Sequence, residues 1–241
     1  MNTQTSFIEH PCLSNFTRSR RRRWMLSLGA GLGLWANTLW AQPVPNEVLN
    51  AASNGLPAFL ESVSFGNREL YGFTNDTDLA QARLGVPLRV YIITPKNLAS
   101  HPAESKLTPL LSETMLWYFP VLVGDDTRAI LVVDQMADGW RAVAIGYAPL
   151  ARELHRITKQ WPASAGYHPR LVAAFSANRL YFTVPEVDDH NLSPILMPGQ
   201  AAEGVSPAGA NVPAYSTLTP LSESTAQLKA AFDRLPAEST K

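Results

Sequence analysis

Three predicted strands and the two turns that join them lie within one stretch of sequence, MLWYFPVLVGDDTRAILVVDQMADGWRAVAIG, which runs from Met115 to Gly146. Apolar, β-branched and aromatic residues fill the strand segments, whereas Gly and Asp fill the connections, and Asp-Gly is a strong hairpin signal. Because a short connection between successive strands requires antiparallel pairing, this stretch predicts an antiparallel sheet. The strand segments are 115–123, 128–135 and 140–146, and the turns are Gly124-Asp125-Asp126 and Asp138-Gly139.

Further strands are predicted on both sides of this stretch, with one amphipathic helix between them. Leu150, Leu154 and Ile157 lie on one face of a helix over 148–160, and Glu153 lies on its polar side. The helix must bury its apolar face against the sheet. The sequence therefore predicts an α+β, two-layer domain whose mainly antiparallel sheet of about six strands is loosely PAS-like or profilin-like. The additional strands are 88–94, 171–175 and 179–184.

Composition divides the chain into a signal segment, a folded domain and a tail. The tail is rich in Pro, Ala and Ser and is predicted to be flexible, with a short terminal helix indicated by Leu228, Phe232 and Leu235. The predicted boundaries are 1–41 for the signal, 42–192 for the α+β domain and 193–241 for the tail.

A basic segment precedes an apolar, glycine-rich run in SRRRRWMLSLGAGLGLWANTLWAQP, from Ser19 to Pro43. The apolar run is shorter than the roughly 20 residues that a membrane helix needs, and it is typical of an export signal cleaved near Ala41. Arg21-Arg22-Arg23-Trp24-Met25 resembles the twin-arginine motif, with Arg21 and Arg22 as the pair and Trp24 and Met25 as the aromatic and apolar positions. The resemblance implies the export machinery as a partner, a periplasmic or secreted location and no stable membrane span after cleavage. A general secretory signal is the alternative.

The charge and cysteine content limit the chemistry of the mature chain. Residues 1–41 hold five of the 20 basic and one of the 20 acidic residues, so residues 42–241 have 15 basic and 19 acidic residues and a formal net charge of −4. A net negative charge argues against nucleic-acid binding, which needs clustered Lys and Arg. The single cysteine, Cys12, lies in the signal, so the mature chain has no disulfide, thiolate nucleophile or zinc–thiolate site, and no cofactor or metal is expected.

Two clusters are candidate functional sites. Asp188-Asp189-His190 is the densest polar group, and it is either a cation or acid–base site or a solvated loop after a strand. Trp117, Tyr118 and Phe119 are consecutive in one strand, so their side chains must occupy both faces of the sheet. Either they line a ligand pocket, or two short helices predicted over 46–63, with a break near Gly55, cover the second face.

The segments LGVPLRVYIITPKNL (84–98), FPVLV (119–123) and GWRAVAIG (139–146) resemble a pattern in small exported bacterial proteins of uncharacterised function, and this resemblance implies no activity. Catalytic motifs such as G-x-S-x-G and H-E-x-x-H do not occur. We therefore expect an exported, non-catalytic module that binds a small ligand or a protein partner. The alternatives are a secreted hydrolase that uses Asp188, Asp189 and His190, and an accessory or inhibitory module for another secreted protein.

Overall fold

The computed structural model describes residues 44–63, 66–102, 105–195 and 218–234. The predicted signal, including Arg21, Arg22, Trp24 and Met25, lies outside the described residues. Among the residues that are described, no helix combines the length and the apolar character needed to cross a membrane.

The centre of the fold is an eight-stranded mixed sheet with the order β5-β4-β3-β2-β6-β7-β8, and β1 pairs with β3 beside β2. The three strands of the 115–146 stretch are adjacent and antiparallel, as predicted. The strands are β1 Arg83–Leu84, β2 Leu88–Ile92, β3 Ser112–Val123, β4 Asp126–Met136, β5 Gly139–Gly146, β6 Arg170–Ala174, β7 Arg179–Thr183 and β8 Ser193–Pro194.

The sheet differs from the prediction in strand number and in one pairing. The short strands β1 and β8 add to the six that were predicted, and β2 pairs with β6 in parallel, with Val90 opposite Leu171. The parallel pair arises because the chain leaves β5 at one edge, crosses the sheet as a helix and re-enters beside β2. Hairpin signals in the sequence predict pairing only between consecutive strands, so they could not predict the pairing of β2 with β6.

Five α-helices flank the sheet within the described residues: α1 Asn46–Ser62, α2 Asp76–Ala80, α3 Pro95–Ala99, α4 Ala148–Gln160 and α5 Leu221–Asp233. The predicted helix over 148–160 is α4, with Leu150, Leu154 and Ile157 buried as expected. The placement of Glu153 on the exposed side was wrong. Glu153 is only 8% exposed, and its carboxylate lies 2.9 Å from Arg156 Nη1.

The prediction of two short helices over 46–63 was also wrong, because α1 is continuous through Gly55 and Pro57. Proline lacks the N–H of a helical hydrogen bond and weakens a helix interior. The buried residues Val48, Ala52 and Leu56 recur every four positions and pack on β4 and β5 along the helix. This packing stabilises α1 despite the two unfavourable residues.

The sheet is covered on both faces of β3 and β4. Tyr118, Ile130 and Val132 pack with α4, whereas Phe119 and Leu131 on the opposite face pack with α1. A third cluster lies under α3 and α5 and includes Ile93, Val172, Tyr181, Leu192, Leu221 and Leu228.

The segment predicted as a tail contributes to the fold within the described residues. Ser193 and Pro194 form β8, and the predicted terminal helix near Leu228 and Phe232 corresponds to α5. Leu221 and Leu228 are buried in the third cluster, so α5 is part of the core.

Candidate functional site

The three consecutive aromatic residues of β3 lie in the core. Trp117, Tyr118 and Phe119 are 5%, 7% and 1% exposed, and α1 covers the face that holds Trp117 and Phe119. Tyr118 faces α4, and its ring stacks on that of Tyr147 with centroids 6.3 Å apart. Burial raises the pKa of Tyr118, and Tyr147 and Asp134 raise it further. These positions favour a packing role for the three rings over a binding surface.

Asp188, Asp189 and His190 lie in a loop after β7. Nδ1 of His190 is 2.9 Å from Oδ1 of Asp188, and this side-chain hydrogen bond lowers the pKa of the Asp188 carboxyl. Asp189 does not face His190, since its Oδ1 accepts a hydrogen bond of 2.8 Å from the Thr108 hydroxyl. The three polar residues are therefore split between two separate contacts.

Asn191, which was not among the predicted site residues, is the most deeply buried polar residue of this loop. It is 2% exposed, its Oδ1 accepts from Val184 N at 3.0 Å, and its Nδ2 donates to Val184 O at 3.1 Å and to the Asp188 carbonyl. The carbonyl of His190 accepts from Leu221 N at 2.7 Å. These hydrogen bonds join β7 to the start of α5, which is a structural role.

A pocket of about 280 Å³ opens elsewhere, between the start of β4, the glycine that follows the short 3-10 helix Arg68–Tyr71, and the exposed side of α4. Three of its lining side chains are arginines, although residues 42–241 have a formal net charge of −4. The pocket is lined by Gly72, Asp126, Thr127, Arg128, Arg152, His155 and Arg156.

The α4 wall of the pocket carries Arg152, His155 and Arg156. Their spacing of three and four residues places them on one helical face. Arg156 is paired with Glu153, as described above. Arg152 is exposed and has no carboxylate partner among the described residues. This wall therefore presents one paired and one unpaired guanidinium.

The β4 wall carries Arg128, whose pairing is incomplete. Its Nη2 lies 3.3 Å from Asp126 Oδ2, and the Asp126 side chain is 67% exposed. Its Nε is buried without a hydrogen-bond partner. The charge of Arg128 also acts on Asp78. Hydrogen bonds from Thr74 lower the pKa of the Asp78 carboxyl, and the positive charge of Arg128 lowers it further. The Arg128 guanidinium is therefore held weakly enough to exchange Asp126 for another anion.

Gly72 forms the floor between these walls. Its φ of 86° lies in the left-handed region, and a Cβ at this position would sit 2.2 Å from the carbonyl oxygen of Arg128. Only glycine satisfies both conditions. The residue therefore sets the distance between the 3-10 helix and β4.

The other histidines do not join either site. His168 Nδ1 lies 3.3 Å from Glu186 Oε1, and His101 Nε2 is buried without a hydrogen-bond partner. No set of three or more His, Cys, Asp or Glu side chains is positioned to hold a metal ion in the described parts of the chain.

Comparison of the chain with models of known protein families, with curated proteins and with solved structures found no match.

The sequence contains a signal for the α4 wall but not for the whole pocket. The basic residues Arg152, His155 and Arg156 form a visible stripe, although a basic stripe on an amphipathic helix is usually a solvated face. Arg128 comes from a strand, and only the packing of α4 on β4 brings it to the same cavity.

Proposed function

We propose that the chain is an exported, periplasmic or secreted, non-catalytic binding module whose small ligand occupies the basic pocket between β4 and α4. The observation that carries this proposal is the convergence of Arg128, Arg152 and Arg156 on one cavity. Surface cations are normally dispersed and paired with acids on a mildly acidic protein. A cavity that concentrates them instead is a ligand site of small-molecule size.

Occlusion of the cavity tests this proposal. His155 lines the pocket, so His155→Trp fills it with a larger ring and leaves all three arginines in place. Mass spectrometry of small molecules retained by protein purified from the producing cells should detect a species bound to the parent and lost from this variant. His168→Trp, outside the pocket, is the matched control. Equal retention by the parent and by His155→Trp contradicts a ligand in this cavity.

Export is a separate part of the proposal and rests on the N-terminal sequence. If Arg21 and Arg22 form a twin-arginine pair, replacing both with Lys blocks export. The measurement is the amount of processed protein outside the cytoplasm. Unchanged export of the variant, together with loss of export when the general secretory route is inhibited, would contradict the twin-arginine route.

A hydrolase is the second candidate, and the contact of 2.9 Å between Asp188 and His190 is the observation that favours it. A carboxylate that orients a histidine is part of a nucleophile-activating arrangement, but no hydroxyl of a described serine is hydrogen-bonded to His190. Replacing Asp188, Asp189 and His190 with Asn, Asn and Gln tests the two roles. An intact fold with lost hydrolysis of a panel of ester substrates supports a hydrolase, and unchanged behaviour supports a structural loop.

The finer description of the fold is also a proposal. Six antiparallel pairings and the position of α4 across one face support a two-layer core of the PAS-like or profilin-like kind. Helix α1 on the opposite face is an addition to such a core. The accessory or inhibitory role stays an alternative without a structural feature that favours it.

A further inference from the structure

We infer that the pocket between β4 and α4 binds a compact dianion, either a phosphate monoester group or a small dicarboxylate. This inference rests on the proposed binding function and names the chemical class of the ligand. Its basis is the charge of the lining, the incomplete pairing of Arg128 and Arg152, and the size of the cavity.

The charge of the lining calls for more than one negative charge. Arg128, Arg152 and Arg156 contribute three positive charges to the lining, and Glu153 offsets the charge of Arg156. Two guanidinium charges, those of Arg128 and Arg152, therefore remain for a ligand that displaces Asp126 from Arg128. Arg152 and Arg156 are four residues apart on α4, a spacing at which like charges repel. A bound dianion matches the two charges of Arg128 and Arg152 and lessens this repulsion.

The incomplete pairing of Arg128 indicates that its guanidinium is available to a ligand. Arg89, which is a structural arginine, donates from Nε to the Thr114 carbonyl at 2.9 Å, and its Nη1 lies 2.7 Å from Glu113. Arg128 has only the 3.3 Å contact with exposed Asp126, and its Nε has no partner. An incoming anion can replace Asp126 on Arg128 and take Arg152 as its second donor.

The guanidinium donors and the volume of the pocket favour a small anion that is either a planar carboxylate or a tetrahedral phosphate. A guanidinium presents parallel N–H donors that match the oxygens of carboxylate and phosphate groups. The pocket, at about 280 Å³, lies at the small end of ligand cavities. It has room for a metabolite-sized anion and not for a polymer.

Calorimetric titration tests the inference. The probes are inorganic phosphate and malonate, with acetate as the monoanion control at matched ionic strength. Phosphate or malonate should bind the parent and raise its thermal midpoint, and acetate should do neither. Arg152→Gln should weaken binding at least about tenfold, since a charge-assisted hydrogen bond contributes that much or more.

Arg141→Gln is the matched control, because it removes the same charge from an exposed residue on β5. In the register of β5 on β4, Arg141 lies opposite Asp134, which is six residues along β4 from Arg128 and therefore about 20 Å away. This variant should bind as the parent does, and all variants should share the circular dichroism spectrum of the parent.

The outcomes separate the class of ligand from the existence of a site. Tighter binding of phosphate assigns a phosphate monoester, and tighter binding of malonate assigns a dicarboxylate. Equal binding of acetate, equal weakening in Arg141→Gln, or no binding of any anion overturns the inference. If a neutral molecule is retained by the parent and lost from His155→Trp, the binding function stands while the dianion is excluded.

Discussion

Replacement of Gly55 by Ala in α1 sets two effects of known sign against each other. In a helix interior alanine is more favourable than glycine by about 0.8–1.0 kcal/mol. A Cβ at Gly55, however, would lie 2.3 Å from the Cβ of Ala142 on β5. Carbon atoms in contact are about 3.5–4.0 Å apart, so α1 would have to move away from the sheet by more than about 1 Å. Overpacking of this kind costs about 1–3 kcal/mol, which predicts a net destabilisation of up to about 2 kcal/mol.

A double-mutant cycle isolates the clash. In an Ala142→Gly background the obstructing methyl group is absent, so Gly55→Ala should stabilise by about 1 kcal/mol, and the coupling between the two sites should be about 1–3 kcal/mol. Urea unfolding at constant pH supplies the free energies. Asn54→Ala, on the exposed side of the same helix, is the control and should be neutral or slightly stabilising. If Gly55→Ala has the same effect in both backgrounds, α1 does not approach β5 as described.

Three further perturbations have defined outcomes. Leu154→Ala should cost about 2–5 kcal/mol in the free energy of unfolding, because Leu154, on the sheet-facing side of α4, is only 4% exposed. A cost below about 1 kcal/mol would contradict this packing. Asn191→Ala should cost about 2–4 kcal/mol, because it leaves the buried N–H of Val184 unpaired and removes the hydrogen bonds from Asn191 to the carbonyls of Val184 and Asp188. The exposed substitution Asp188→Asn should change stability by no more than about 0.5 kcal/mol in the same denaturant titration. The pKa of Tyr118 is raised in the folded state above its unfolded value of about 10, so its contribution to stability is present below about pH 10 and is lost as the pH rises. Tyr118→Phe should therefore lessen the alkaline loss of stability in unfolding titrations between about pH 9 and 12. An unchanged pH profile would argue against a buried phenol.

Local patterns in the sequence predicted the local parts of this fold. The bounds of α4 agree with the prediction because an apolar residue recurs on one helical face, and β3, β4 and β5 agree because Gly-Asp-Asp and Asp-Gly mark their turns. The parallel pairing of β2 with β6 depends on where α4 delivers the chain, which no local signal contains.

The sites divide in the same way. The adjacency of polar residues in the sequence indicated a site at Asp188 and His190, yet the neighbouring Asn191 makes the buried hydrogen bonds. The basic face of α4 could be seen in the sequence, but its partner Arg128 could not, since a lone arginine in a strand is usually a surface residue. Polar residues that are adjacent in the sequence identified a loop. The pocket between β4 and α4 could be identified only from the tertiary structure.

The third core cluster has a consequence for the order in which the chain acquires its fold during synthesis. It joins Ile93 and Val172 to Leu221 and Leu228, so its interior stays open until α5 has been translated and has docked. Until then β6 and β7 expose apolar surface on the face that α5 will cover, and exposed apolar surface of this kind favours aggregation of nascent chains. Completion of this part of the protein is therefore a late event, which requires translation through residue 228.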